Sequence, residues 1–533
     1  MKKTFLVFLL IFNFAYAQED AWVYFSDKPN AASYLSNPLS MLTQRSLDRR
    51  IAQGIPLDNL DVPIAQTYID QVAAATGITI KAKSKWLNAL HIRGTQANIQ
   101  ALTNLSFVSS VKFANQALNS RTSINNSENI VSKQMDVAVN FNYGTSANQI
   151  QMLNGHLLHQ QNYTGAGKVI AVLDSGFQNV NTATPFQRLF TNNLILGGYN
   201  YVSQSPNVYT LDFHGTMVLS CMGGYVDGQL VGTAPDAEYY LFVTEDVASE
   251  NPVEESYWVE AAEEADRLGV DVITSSLGYF GYDNPNYSHT YSEMTGNQAF
   301  ASRGANIAFS KGIVVIASAG NSGASANPYV GVPAEATNVL AIGAVKPDET
   351  YATFSSIGPS FDGRVKPDIM AQGQAAVVSN INGAIVTANG TSFSGPIMAG
   401  MITSFWSALP TLTATQVVQF VKQSADRYTT PTNQFGYGIP DFQLALNNAL
   451  GNEIFDNENV FLYPNPVQDS VTIHLPSNQN AELYLYNSLG QIINQFHISN
   501  SEMSISLEKL TSGIYFYELS LKNKTQKGKL LKL

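Results

Sequence analysis

Between residues 144 and 451 the chain alternates short, almost wholly apolar runs with stretches whose apolar residues recur at helical spacing. The runs at 169–173, 238–243, 270–275, 313–317 and 339–345 are nearly free of charge. Strands of that composition are buried on both faces, as in a parallel sheet covered by helices on either side. The clearest crossover helices fall at 254–268 and 299–312. The pattern predicts an α/β domain of three layers with a mostly parallel sheet. Upstream, Trp22-Val23-Tyr24-Phe25 reads as a strand, 39–51 as a helix on Leu39, Leu42, Leu47 and Ile51, 78–92 as strand-like alternation, and 108–113 as a last strand. Thr95 is placed to cap a short helix carrying Ile99 and Leu102. Residues 18–116 thus form a small α+β unit. Residues 460–533 alternate strictly at Val471-Thr472-Ile473-His474-Leu475 and over 481–486, and read as a small all-β sandwich. Polar stretches at 117–143 and 452–459 are linkers.

The first residues are a separate element. Lys2 and Lys3 precede an apolar run broken only at Asn13, and Ala15-Tyr16-Ala17 is a small-x-small cleavage site. Residues 1–17 are therefore expected to be a secretory signal peptide. The run is far shorter than the roughly 20 residues of a membrane span, and no later stretch is long and apolar enough, so the mature chain is expected to have no transmembrane segment. The formal net charge of -12 argues against nucleic acid or an anionic membrane as the main partner. A single cysteine, Cys221, rules out an internal disulfide.

Four short motifs in the body carry candidate chemistry. Val172-Leu173-Asp174-Ser175-Gly176 sets a carboxylate at the end of a buried strand, where an open α/β sheet binds ligands. Asp212-Phe213-His214-Gly215-Thr216 sets an imidazole at a helix start beside a glycine that permits close approach. Ala317-Ser318-Ala319-Gly320-Asn321 ends a strand in small residues and an amide able to donate to an oxyanion. Asn389-Gly390-Thr391-Ser392-Phe393 sets a hydroxyl at a helix N-terminus, with Pro396 suited to a first turn. Taken singly, these read equally as a turn Asp, a capping His, an Asn turn and a Ser or Thr N-cap. Cys221 lies seven residues after His214 on one predicted helix, roughly 10 Å along its axis and too far to form a catalytic pair.

Together the motifs run Asp, His, Asn, Ser at intervals of 40, 107 and 71 residues. Asp before His before Ser is the subtilisin order, and the body resembles a subtilase catalytic domain over residues 144–451. Thr274-Ser275-Ser276-Leu277-Gly278, Lys366-Pro367-Asp368 and Gly436-Tyr437-Gly438 are similar to further segments of that family. Two departures stand out: Met217 occupies a position that is commonly His, and Phe393-Ser394-Gly395-Pro396-Ile397 replaces the usual Met-Ala-Ser-Pro-His. The resemblance implies a serine endopeptidase with Asp174, His214 and Ser392 as its triad and Asn321 in the oxyanion hole. It also implies a substrate cleft lined by Ser276, Leu277 and Gly278, with Ser318, Ala319 and Gly320 opposite. No cofactor is required for such chemistry; the family often carries structural calcium, for which no ligands are assigned.

The flanking units carry resemblances of their own. Residues 18–116 resemble an inhibitor-type prodomain, which implies a zymogen whose own prodomain blocks the cleft until the 117–143 linker is cut. Tyr463-Pro464-Asn465-Pro466, Leu489-Gly490, Gly513-Ile514-Tyr515 and the basic end from Lys527 resemble the C-terminal sorting domain of the type IX secretion machinery. That places the protein, whose substrates would be proteins or peptides, in the medium or at the surface of a Gram-negative bacterium. The rival reading is an inactive subtilase scaffold that serves as a surface binding or adhesion protein.

Overall fold

The computed structural model describes residues 18–119, 141–210, 212–451, 461–463, 467–475, 480–487, 490–499, 502–521 and 524–532. The signal peptide expected over residues 1–17, most of the 117–143 linker, the 452–459 linker and part of the sorting-domain motifs, such as Pro464-Asn465-Pro466, lie outside them. The chain divides into two compact units, 1–443 and 444–533.

The first unit is built on a seven-stranded sheet. Across it the order is Ile369–Gln372, Leu340–Val345, Val314–Ser318, Val272–Ser275, Val169–Asp174, Glu238–Val243 and Ile195–Asn200. Every neighbouring pair is parallel. The first five strands in that order are buried at every position, which is why their sequences run apolar without alternation. Each Val, Ile or Leu so buried contributes about 1.5–3 kcal/mol. Val169, Ala171 and Leu173 join one core with the helices Val253–Leu268 and Phe300–Ser310. Helices His214–Gly223 and Thr391–Ala408 pack together and against the sheet outside that core. After Val169–Asp174 the chain fills one side, the edge strand Ile195–Asn200 first and Glu238–Val243 then between, before it returns to build the other side. Asp174 therefore ends the strand at which the winding reverses, the crevice where α/β sheets bind ligands.

An antiparallel four-stranded sheet at the N-terminus belongs to the same unit, with Gln18–Phe25 between Ala89–Thr95 and Val108–Phe113, and Ile78–Ser84 outermost. Its period of two divides the apolar residues. Ala21, Val23 and Phe25 enter the lobe's own core with Leu90, Ile92 and Ile99. Trp22 joins the core of the helices Val253–Leu268 and Phe300–Ser310, stacking on Phe300 at 5.2 Å and donating its Nε1–H to Ser256 at 2.8 Å. Thr95 caps Gln96–Ala101 as expected. The helix expected at 39–51 is shorter. Leu39 sits in the 3-10 turn Pro38–Ser40, and the helix Gln44–Ala52 starts after the Thr43 cap. Leu39 and Ile51 are 62% and 76% exposed while Arg49 and Arg50 are buried; of the expected stripe, Leu42 and Leu47 pack into a small core with Met41 and Val62.

In the second unit, a three-stranded sheet (Phe461–Tyr463, Ser470–His474, Glu502–Ser506) and a four-stranded sheet (Ile492–Ile498, Ala481–Tyr486, Gly513–Leu521, Lys524–Lys532) share one core of Val471, Ile473, Leu483, Leu485, Ile505 and Leu519 among others. It is the all-β sandwich that the alternation predicts.

Candidate active site

Four elements end at one edge of the parallel sheet. Asp174 closes its strand fully buried. Its Oδ1 accepts the Nδ1–H of His214 at 2.8 Å and the backbone N–H of Ser175 at 2.8 Å; its Oδ2 is buried with no hydrogen-bond partner. His214 is the first residue of its helix, and its backbone N–H goes to Asp212 Oδ1 at 2.9 Å. Gly215 lets the helix sit this close: a Cβ there would lie 2.4 Å from the Gly176 carbonyl oxygen and 3.0 Å from Asp174 Cβ. Burial pushes the imidazole toward neutrality, but the charge and hydrogen bond of Asp174 and the charge of Asp212 outweigh it, and the His214 pKa is raised. With Nδ1–H committed to Asp174, Nε2 is the free, basic nitrogen.

Ser392 is the second residue of Thr391–Ala408. Gly390 is the N-cap, with no side-chain capping bond, so neither Thr391 nor Ser392 is spent as a cap. Pro396 stands inside this helix rather than in its first turn. It has no N–H for the carbonyl of Ser392, and the Ser276 hydroxyl donates to that carbonyl instead, at 3.0 Å. Ser318 Oγ donates to the Thr391 carbonyl at 2.7 Å. The ring of Phe393, next to the serine, lies 6.3 Å from that of His214. No hydrogen bond joins Ser392 Oγ to His214 Nε2 among the described residues; catalytic contacts are often long before substrate binds.

Asn321 follows the strand Val314–Ser318. Its Oδ1 accepts the N–H of Thr391 at 2.9 Å and the Thr391 hydroxyl at 3.1 Å, and that hydroxyl accepts the Gly320 N–H at 3.1 Å. The amide is thereby turned so that Nδ2 points away from Thr391. Gly390 has φ of +152°, and a Cβ on it would lie 3.6 Å from Ser392 N and 3.7 Å from Asn321 Nδ2. Two N–H donors therefore border one small space that glycine leaves open.

Of the six residues expected to line the cleft, Ser276 and Ser318 turn their hydroxyls to the helix carrying Ser392, and Ala319 is buried. Leu277 is half-buried and Gly278 exposed. The sequence reading missed Thr391, which fixes Asn321, and Asp212, which tethers His214; both lie inside motifs already singled out. Cys221 is buried, and burial pushes its thiol far up, so it is not a nucleophile.

The carboxylates of Glu245, Glu250 and Glu254 come within 4.8 Å of one another. Burial first, and mutual repulsion with it, hold Glu245 well above the usual range, and burial lifts Glu254 to about 8. Glu254 already accepts the N–H groups of Asp246 and Asn251, and Glu245 the Tyr279 hydroxyl. Calcium takes six to eight oxygen ligands; this trio does not make such a cage.

Three family models match the chain: a peptidase S8 propeptide domain of Bacteroidota over residues 20–129, the subtilase family over 165–438, and a secretion system C-terminal sorting domain over 461–532. Subtilisin NAT of Bacillus subtilis subsp. natto is 31% identical over 56% of this chain and 70% of its own length. A subtilisin of Bacillus pumilus is 30% identical over 56% of this chain and 97% of its own. The epidermin leader peptide processing serine protease of Staphylococcus aureus, at 16% identity, shares the fold with a TM-score of 0.52 over 82% of this chain and 100% of its own.

Proposed function

Since the chain belongs to the subtilase family, whose members are serine endopeptidases, we propose that Ser392 is its nucleophile, His214 its general base and Asp174 the residue that holds that base. The observation that carries the assignment is the pairing of a buried carboxylate with His214 Nδ1 at 2.8 Å beside a helix start bordered by two converging N–H donors.

In this reading Ser392 Oγ attacks the scissile carbonyl of a protein or peptide and passes its proton to His214 Nε2. Asp174 stabilises the imidazolium without taking the proton. The oxyanion is received by Ser392 N–H and Asn321 Nδ2, already turned toward it by Thr391. His214 then protonates the leaving amine, and water repeats the sequence on the acyl-enzyme. Leu277 and Gly278 offer the cleft wall on one side and Gly320 on the other. No metal or cofactor enters any step.

The chain carries an S8 propeptide domain and a secretion sorting domain, and is exported to the cell surface or beyond. The finer reading is that the 18–116 unit inhibits the peptidase until the 117–143 linker is cut, and that the type IX machinery of a Gram-negative cell handles residues 460–533.

The test is labelling with a fluorophosphonate probe beside a Ser392→Ala variant, with intact mass for both. The wild type should gain one adduct and lose the covalent link to its N-terminal segment; the variant should do neither. A folded, processed wild type that stays unlabelled removes the assignment.

A further inference from the structure

The N-terminal lobe is held by more than the face of its sheet. Helix Gln44–Ala52 lies across the C-terminal ends of the two helices beneath it. The Thr43 N–H goes to the Arg267 carbonyl at 2.9 Å, Arg45 Nε to the Gly269 carbonyl at 3.0 Å, and the Arg49 guanidinium to the Val270 carbonyl. Gln53 Nε2 donates to the Gly312 carbonyl at 2.9 Å, while its Oε1 accepts the N–H of Ala414, the first residue of Ala414–Gln423, at 3.1 Å. Carbonyls at a helix's C-terminal end lack partners within it, and the negative end of its dipole favours a cation. The Arg267 carbonyl is in the last turn of Val253–Leu268, and those of Gly269, Val270 and Gly312 follow just past the ends of the two helices; their partners come from another lobe. Gly269 makes the approach possible, since a Cβ on it would lie 2.7 Å from Arg45 Cγ and from Ser46 N.

Beneath the caps is a buried ion-pair network. Asp266, fully buried, binds both Arg49 and Arg50, the latter at 2.8 Å. Arg50 also binds Asp61 at 2.8 Å, and Asp61 and Asp58 reach Lys311 of the catalytic body at 3.4 and 2.9 Å. Among the described residues, Asp266 has no ion-pair partner other than the two arginines; the more distant charge of Lys85, also in the N-terminal lobe, adds to their pull. Removing both arginines while the helix stays docked would leave a buried carboxylate without an ion-pair partner, which is among the costliest single changes a folded interface can suffer.

We propose that helix Gln44–Ala52 is a latch that retains the N-terminal segment on the catalytic body after the linker is cut, independently of any linker residue in the cleft. The partner is the cleaved segment itself, and its retention is set by Arg49 and Arg50. The inference rests on residues 18–116 being a removable propeptide, but its test does not depend on self-cleavage.

The full chain carries Ser392→Ala and recognition sites for one sequence-specific protease near residues 120 and 140, so that the linker is excised by an added enzyme. Size-exclusion chromatography at nanomolar concentration then follows the N-terminal fragment. The latch retains it with the linker gone, and Arg49→Ala/Arg50→Ala weakens retention on the order of 10²-fold or more. Near-UV circular dichroism before excision checks that the variant is folded. If it is not, Arg49→Lys/Arg50→Lys, which keeps the charge and loses the forked geometry, carries the comparison and should give an intermediate loss. Release of the parent fragment on excision, or folded variants that hold it as long as the parent does, overturns the proposal.

Discussion

The hydroxyl of Ser276 donates to the backbone carbonyl of Ser392 at 3.0 Å, and this is the carbonyl that Pro396, four residues on, cannot serve. A residue expected to line the cleft thus also supplies the missing rung of the helix that carries Ser392. Ser276→Ala should cost about 1–3 kcal/mol by leaving that carbonyl unpaired, with kcat falling more than KM rises. Adding Pro396→Ala restores an N–H to the ladder and should recover part of the stability. Urea unfolding of the two variants decides it; a Ser276→Ala protein as stable as its parent removes the rung.

Thr391 turns the amide of Asn321. Loss of an oxyanion-hole donor costs about 10²–10³ in kcat in subtilisin, and Asn321→Ala should fall in that range. Thr391→Val keeps the shape but strips the hydroxyl that bridges Gly320 N–H and Asn321 Oδ1. It should lower kcat about tenfold or more, and far less in the Asn321→Ala background, because the two act as one unit. Additive losses in the double variant would mean that Thr391 acts elsewhere.

His214 must be neutral to accept a proton, and its pKa is raised: burial works against this, while Asp174 and then Asp212 prevail. Activity should therefore fall as pH drops through a value above the ordinary 6.5 of histidine. Asp212→Asn removes one raising charge and keeps an acceptor for His214 N–H, so the acid limb of kcat/KM should move to lower pH. An unmoved limb assigns it to another group.

His289, in the irregular stretch after the strand Val272–Ser275, is paired with the buried Glu255 at 2.8 Å. Burial opposes its charge, but Glu255 and then Glu293 lift its pKa to about 10. Such a group stabilises fully below its unfolded value near 6.5, and this contribution is lost as pH rises to about 10. His289→Gln should thus be destabilised most near pH 6, on the order of 3 kcal/mol, with the gap to wild type closing toward pH 10. Melting curves across that interval test it; a pH-independent gap would place the effect in packing alone.

The candidate triad and the sheet were legible because each depends on a local signal. Asp174, His214 and Ser392 sit in short Gly-flanked frames, and strands such as Val169–Asp174 announce their burial by carrying no polar residue before Asp174. What was not legible depends on tertiary partners. The stripe of Leu39, Leu42, Leu47 and Ile51 suggested a face for the helix, yet Arg49 and Arg50 go inside because Asp266, more than 200 residues away, awaits them. Pro396 read as a first-turn residue because nothing local says that a serine just past the strand Val272–Ser275 takes over its hydrogen bond.

Asp174 and Ser392 are separated by roughly two hundred residues of chain, and three strands lie in the sheet between the one that ends in Asp174 and Ile369–Gln372, the last strand of that sheet before Ser392. Closing a loop of that length costs about 5 kcal/mol of chain entropy before any contact repays it. The two residues can meet only when nearly all the intervening crossovers have been laid down. A nascent or half-unfolded copy thus holds every side chain of the proposed triad and no catalyst. The long-range connectivity itself keeps an incomplete molecule from digesting its neighbours, whatever else restrains the finished one.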